Sequence, residues 1–217
     1  MEFQIPEELV ALGKQRIEPY PVEGFVRGGG PLKPKLLLIG EAPGENEAIQ
    51  GKPFVGRAGV ELEKSLDQIG LTRADVYMTS PVRSRPYQWK EKRLRTGEVI
   101  NKKYNRAPKK PEVIAHAPIL DYEIEHLDPV LIVTLGNVGL QRLLGPTYKV
   151  SEIHGELLNM PIFKLENLES SNFIQTSQSY TIIPTFHPAA IFYNPRIREQ
   201  VSLDWKAIGE YLQKITQ

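Results

Sequence analysis

Four short apolar runs constrain this chain more than any other feature. They are KLLLI at 35–39, VYMTSP at 76–81, LIVTL at 131–135 and YTIIP at 180–184, each followed by turn-forming residues. Runs this short and this uniformly apolar fit strands covered on both faces, as in a parallel sheet. Between them the apolar residues change period. Leu62, Leu66 and Ile69 fall on one helical face of 59–69, with Gly70 closing it. Val113, Ile114, Ala117, Leu120, Ile124 and Leu127 repeat at helical spacing through 111–127, and 137–144 and 202–215 continue the alternation. Strand alternating with helix predicts an α/β fold: a three-layer sandwich with a central four-stranded parallel sheet. At 217 residues the chain is expected to form a single domain, 1–217.

Residues 84–111, SRPYQWKEKRLRTGEVINKKYNRAPKKP, break this rhythm. The stretch is too polar for a core element and too long for an ordinary α/β connection. It reads as an inserted loop with some structure of its own. Residues 83–110 hold eleven Lys or Arg against two Glu, so this part carries +9 and the rest of the chain −8. Segregated charge of this kind points to a polyanion partner. Tyr87, Trp89 and Tyr104 stand among the bases, which suits nucleic acid: bases stack on aromatic rings while phosphates meet Lys and Arg.

The chain has no cysteine. Disulfides, thiolate nucleophiles, zinc–thiolate sites and cysteine-held iron–sulfur clusters are thereby excluded. No apolar run approaches the ~20 residues that span a bilayer, and the start MEFQIPEELV carries acids where a signal peptide carries bases. A cytoplasmic protein is expected.

In an open parallel sheet, ligands collect beyond the carboxyl ends of the strands. The exits here are GEAPGENE, SPVRSRP, GNVG and TFHPAAIFYNP, and they hold Glu41, Glu45, Glu47, Ser80, Asn137 and His187. Phe54 follows the first exit, and Arg57 and Gly59 open a helix that could hold a phosphate at its positive end. Each feature alone has an ordinary explanation as a cap, a turn or an ion pair. GRAG lacks the Lys-Ser/Thr of a P-loop, and the histidines at 116, 126 and 154 have no metal-site spacing. From the residues alone the reading is an α/β protein with an acidic, histidine-bearing cleft beside a basic surface.

GEAPGENEAIQGKPFVGRAG at 40–59 and TFHPAAIFYNP at 185–195 resemble the two motifs of the uracil-DNA glycosylase superfamily, in its family 4 branch. PVLIVTLGNVGLQRLLG at 129–145 is similar to the family's third strand and the helix after it. The resemblance implies a DNA repair glycosylase that hydrolyses the N-glycosidic bond of uracil, or of a related deaminated base, leaving an abasic site. It implies a uracil-DNA glycosylase-like fold and a DNA partner, with a monomer as the default. Glu41 and Glu47 become candidates to stabilise the cationic sugar and direct water, Glu47 being preferred, and His187 the donor to the departing base. Backbone around Ala42, Pro43 and Gly44 would line the pocket, with Phe54 stacking on the base. Ile191 or Phe192 would act as the wedge that fills the vacated stack. Arg57, Arg83, Arg85 and Arg196 are candidates for phosphate contact, and Lys52 is expected at the pocket edge.

Two departures from the family accompany this resemblance. Family 4 enzymes typically hold a 4Fe–4S cluster on four cysteines; here Ser84 stands at one of those places and His116 near another. No cofactor is expected. Ser80 stands where the family commonly has an asparagine that reads the base edge, which leaves uracil discrimination open. The main rival reading is a catalytically weak or inactive homologue that binds damaged or single-stranded DNA. An enzyme of free nucleosides is a third, disfavoured by the basic insertion and by Arg196 and Arg198.

Overall fold

The computed structural model describes residues 3–216. The helices are α1 (Glu7–Ile17), α2 (Glu45–Gln50), α3 (Arg57–Gln68), α4 (Lys110–Leu127), α5 (Asn137–Leu144), α6 (Val150–Ile153), α7 (Ala190–Tyr193) and α8 (Arg198–Thr216). The strands are β1 (Val22–Glu23), β2 (Leu36–Ile39), β3 (Val76–Thr79), β4 (Arg85–Arg93), β5 (Val99–Asn105), β6 (Ile132–Leu135), β7 (Leu158–Leu165) and β8 (Phe173–Thr185).

The four apolar runs form β2, β3, β6 and the end of β8. They lie in a sheet of order β3-β2-β6-β8-β7, where β2 is parallel to β3 and β6, β6 is parallel to β8, and β7 is antiparallel to β8. The expected four-stranded parallel sheet is therefore a five-stranded mixed one. The extra strand escaped notice because β7 is an edge: it carries Pro161 and is only partly buried, so it lacks a uniform apolar run. β8 extends back to Phe173, and its polar first half pairs only with β7.

Successive strand residues point to opposite faces. Leu37, Ile39, Ile132 and Ile182 pack with Val10 of α1, Ile119 and Leu120 of α4, and Leu140 and Leu143 of α5. Leu36, Leu38, Val133 and Ile183 pack on the other side with Leu62 and Leu66 of α3 and Trp205 and Ile208 of α8. Each such fully buried side chain contributes about 1.5–3 kcal/mol of burial free energy. Helices thus cover both faces, and the strand ends are held in fixed register beneath the site.

The stretch expected as a loop is an antiparallel hairpin. β4 and β5 pair from Tyr87 opposite Asn105 out to Arg93 opposite Val99, and β1 adds to β4 to make a second, three-stranded sheet. Most of its residues are exposed, so no apolar alternation marks it in the sequence.

Candidate active site

The chain leaves β2 at Gly40, and the ring of Phe54 lies directly against it: a Cβ on Gly40 would come 2.7 Å from Phe54 Cζ. Phe54 has φ 52°, a left-handed backbone that a bulky residue adopts only under constraint. Two groups supply the constraint. Arg73 donates to the carbonyls of Pro53 (2.7 Å) and Phe54 (2.9 Å). Gly59 leaves room for that second carbonyl, since a Cβ there would sit 1.8 Å from the oxygen. The ring is thereby set as one wall of a cleft of about 370 Å³ that Glu41, Ala42, Pro43, Gly44, Glu47, Ser80 and His187 also line. The base-binding candidates and the three catalytic candidates are together in one place.

The two leading carboxylates differ in their surroundings. Glu47 is the third residue of α2. Its Oε2 accepts from the Gly44 N–H (3.1 Å), and its Oε1 accepts from the N–H groups of Val55 (3.0 Å) and Gly56 (2.8 Å). It ties the turn at 40–44 to the start of α3, and it occupies the helix end where a phosphate had been expected. Three backbone donors thus engage the oxygens of the carboxylate expected to direct the water. Glu41 accepts no hydrogen bond among the described residues, and burial alone raises its carboxyl above the ordinary value.

His187 is partly buried at the exit of β8. Its Nδ1 accepts from the Ala189 N–H (3.2 Å), which leaves the ring proton on Nε2. Burial lowers its pKa to about 4, so the ring is a neutral donor at physiological pH. Ser80 turns its hydroxyl back to donate to the Val82 carbonyl (2.8 Å), and it offers the cleft an acceptor only.

Asn105 was missed by sequence reasoning. It reaches the cleft from the base of the hairpin, through its pairing with Tyr87. Arg85 Nε donates to its Oδ1 (2.6 Å), leaving Nδ2 at the cleft wall, 3.4 Å from where a Cβ on Gly44 would stand. Only long-range pairing brings it there, and the sequence carries no local signal of it.

Several expected DNA contacts are corrected. Arg83 is buried and donates to Glu123, which also accepts from Tyr77 Oη (2.9 Å) and Thr79 Oγ1 (2.6 Å). Arg85 is buried too, bound to Glu23 at 2.5 Å and to Asn105. Neither presents its guanidinium to a phosphate. Ile191 is only 5% exposed and packs inward, so it is no wedge; Tyr193, two residues on, is 90% exposed. Phe192 stays half-buried beneath Arg57, whose guanidinium carbon lies 4.3 Å from the ring centroid. Arg57, Arg196 and Lys52 are exposed. Asn137 is turned away, accepting from the Val150 N–H (2.8 Å).

Ser84 and His116, the residues standing near cluster positions, are both buried. His116 Nδ1 accepts from the Arg83 N–H (3.2 Å), and its ring meets Phe25 edge-on at 5.7 Å. Burial lowers it to about 3. A 4Fe–4S cluster needs thiolates, and the chain has none. These residues do not fit the cluster; packed rings and hydrogen bonds fill its neighbourhood. Among the described residues no group of three His, Asp or Glu is placed to hold a metal ion.

The model of the uracil DNA glycosylase superfamily matches residues 27–209. The type-4 uracil-DNA glycosylase of Saccharolobus solfataricus is 35% identical over 190 residues, covering 86% of this chain and 76% of that protein. The type-4 enzyme of Sulfurisphaera tokodaii is 31% identical, covering 95% and 83%. That of Archaeoglobus fulgidus is also 31% identical, covering 88% and 83%.

Proposed function

The chain belongs to the uracil-DNA glycosylase superfamily and hydrolyses the N-glycosidic bond of uracil in DNA; we propose that Glu41 and His187 carry the reaction. The observation that supports this most is the pairing, in one cleft, of a half-buried carboxyl without hydrogen-bond partners among the described residues and a neutral imidazole whose Nε2–H is free to donate.

The target nucleotide leaves the stack and enters the cleft, where Phe54 offers its face to the base. The bond from C1′ to N1 breaks with its electron pair passing to uracil, and the sugar becomes an oxocarbenium-like cation. His187 donates from Nε2 to O2 as negative charge develops there. One such donor typically accounts for about 10²–10³ in rate. Being neutral, it stabilises the uracil anion without giving up its proton. Glu41, ionised, opposes the sugar's positive charge and takes the proton of the water that adds to C1′, a role typically contributing about 10²–10⁴. Glu47 holds the turn that carries Glu41. Asn105, fixed by Arg85, supplies an amide donor at the wall.

Ser80 accepts from uracil N3–H in this scheme. Cytosine has a lone pair at N3, so an acceptor there rejects it, and a contact of this kind is worth about 1–3 kcal/mol. Arg57, Arg196 and Tyr193 meet the DNA beside the cleft, Tyr193 entering the gap left by the flipped base.

The test is base release from oligonucleotides with one uracil, single- and double-stranded, beside hypoxanthine and xanthine versions, with abasic sites revealed by alkali. Uracil release that falls at least a hundredfold in both Glu41→Gln and His187→Ala is expected. Intact DNA binding with no release from any substrate would overturn the reading in favour of a binding protein.

A further inference from the structure

We propose that Asp204 is the positioning residue for His187: through Thr185 and His154 it fixes the direction in which the end of β8 presents the imidazole to the base. This rests on the reading of His187 as the donor to the departing uracil, and it extends that reading to a carboxylate that does not line the cleft.

Asp204 lies in α8 and is 3% exposed. Its Oδ2 accepts from Thr185 Oγ1 (2.6 Å), and its Oδ1 accepts from His154 Nδ1 (2.8 Å). Thr185 is fully buried and ends β8, two residues before His187. His154 follows α6 and lays its ring 4.7 Å from that of Phe186, the residue between Thr185 and His187. One carboxylate therefore holds both residues that lead into His187, the first directly and the second through an imidazole. The turn after α6 is shaped to allow this, since a Cβ on Gly155 would stand 2.6 Å from Asp204 Oδ1.

His187 depends on that support. Among the described residues its ring has a single hydrogen bond, the local one from the Ala189 N–H. Its direction is thus set by the backbone that carries it. Within the sheet layer the backbone is held by the Gly155 N–H on the Pro184 carbonyl and the Gly136 N–H on the Thr185 carbonyl, both at 2.8 Å. The bond from Thr185 to Asp204 adds a tether to α8, which packs on one face of the sheet. Two tethers in the layer and one across it fix the tilt of the strand end as well as its place.

Adhesion alone does not call for a carboxylate here. Trp205 and Ile208 of α8 are buried against Leu36, Leu38 and Ile183 of the sheet and already hold the helix to it. Burial raises the Asp204 carboxyl above its ordinary value, so the charge is kept there against a desolvation cost. Apolar packing has no preferred direction, and a hydrogen bond has one. Direction is what a donor to a developing anion needs, since a displacement of about 1 Å can cost about a hundredfold in rate.

The experiment measures single-turnover uracil release over a range of enzyme excess, which separates the maximal rate from the half-saturating concentration. Asp204→Ala is expected to lower the maximal rate about tenfold to a hundredfold, with half-saturation moved by less than about twofold. Thr185→Val keeps the shape and removes one bond, and a smaller loss of the same kind is expected. Asp204→Asn can still accept from Thr185 and can donate to the other tautomer of His154, so it should restore most of the rate. The deciding comparison is made in His187→Ala, where removing Asp204 should cost no more than about twofold, because the direction of an absent ring has no effect. An equal loss in both backgrounds would overturn the proposal, as would an unchanged rate in Asp204→Ala and Thr185→Val. If Asp204→Ala does not fold, Thr185→Val in the same two backgrounds carries the test. If the wild type releases no uracil, the reading of His187 fails by itself. Nitrogen NMR of the His187 ring then tests the positioning: one tautomer is expected in the wild type and an averaged signal in Thr185→Val, and identical spectra would overturn it.

Discussion

Glu123 and Glu41 are both withdrawn from water and are used oppositely. Beside β3, Glu123 lies fully buried and engages Tyr77, Thr79 and Arg83. At the exit of β2, Glu41 is half-buried and engages nothing among the described residues. A carboxylate surrounded by donors is stable and inert, and it holds elements together. One partly withdrawn from water but given no donors keeps its appetite for a cation and a proton, which the glycosidic transition state and the attacking water supply. Glu47 stands in the cleft yet resembles Glu123 in kind, because three backbone N–H groups engage it.

The contrast breaks first at Glu123. Replacing it with Ala leaves Arg83 buried without its partner, and a loss of about 3–5 kcal/mol is expected, read as a shift in the urea midpoint. The same measurement on Glu41→Gln is expected to show no loss, because no native hydrogen bond is removed. A midpoint that stays put in the first variant, or drops in the second, would end the distinction.

His187→Ala is expected to lower kcat by about 10²–10³, or 2.7–4 kcal/mol of transition-state stabilisation, with little change in midpoint. The pH profile sharpens the division of labour. Glu41 has a raised pKa and must be ionised to act, so kcat falls as pH drops through that raised value. His187, lowered to about 4, stays neutral across this limb. In Glu41→Gln the limb should vanish while the residual rate stays flat; a limb that survives would assign it elsewhere.

Glu47→Gln is expected to cost about 1.5–3 kcal/mol of stability, the range for hydrogen bonds to a charged group, and to reduce activity only through looser placement of Glu41. A rate loss as large as that of Glu41→Gln, at unchanged stability, would restore Glu47 to the chemistry.

The smallest effect belongs to His116, whose Nε2 is buried without a partner among the described residues. His116→Phe leaves the buried Arg83 N–H without its acceptor, so a loss of about 1–3 kcal/mol at neutral pH is expected. Its larger signature is in acid. With the folded pKa depressed from 6.5 to about 3, the histidine's contribution is full above pH 6.5 and lost as pH falls toward 3, since the unfolded chain binds the proton first. The Phe variant should therefore lose stability less steeply through that window, and equal slopes would exclude this role for the ring.

Much of the molecule is legible in the order of its residues. The buried strands announce themselves because a strand covered on both faces admits only apolar residues. Glu41, Phe54 and His187 stand in motifs long enough to be recognised. β7 and the hairpin are not legible, because an edge strand and an exposed ribbon place no demand on hydrophobic pattern. Asn105 is hidden for the same reason, as its approach to the cleft depends on a register between strands and not on its neighbours in the chain.

By itself the sequence determined the alternation of strand and helix, the cleft at the strand exits and the absence of any thiolate to hold a cluster. The tertiary structure decided which charged groups are free to act. It turned Arg83 and Arg85 inward, gave Glu47 its three donors, withheld them from Glu41, and exposed Tyr193 in place of Ile191. The physical reason is that charge is a property of a residue. Whether that charge is satisfied depends on backbone donors and partners brought together from distant parts of the chain.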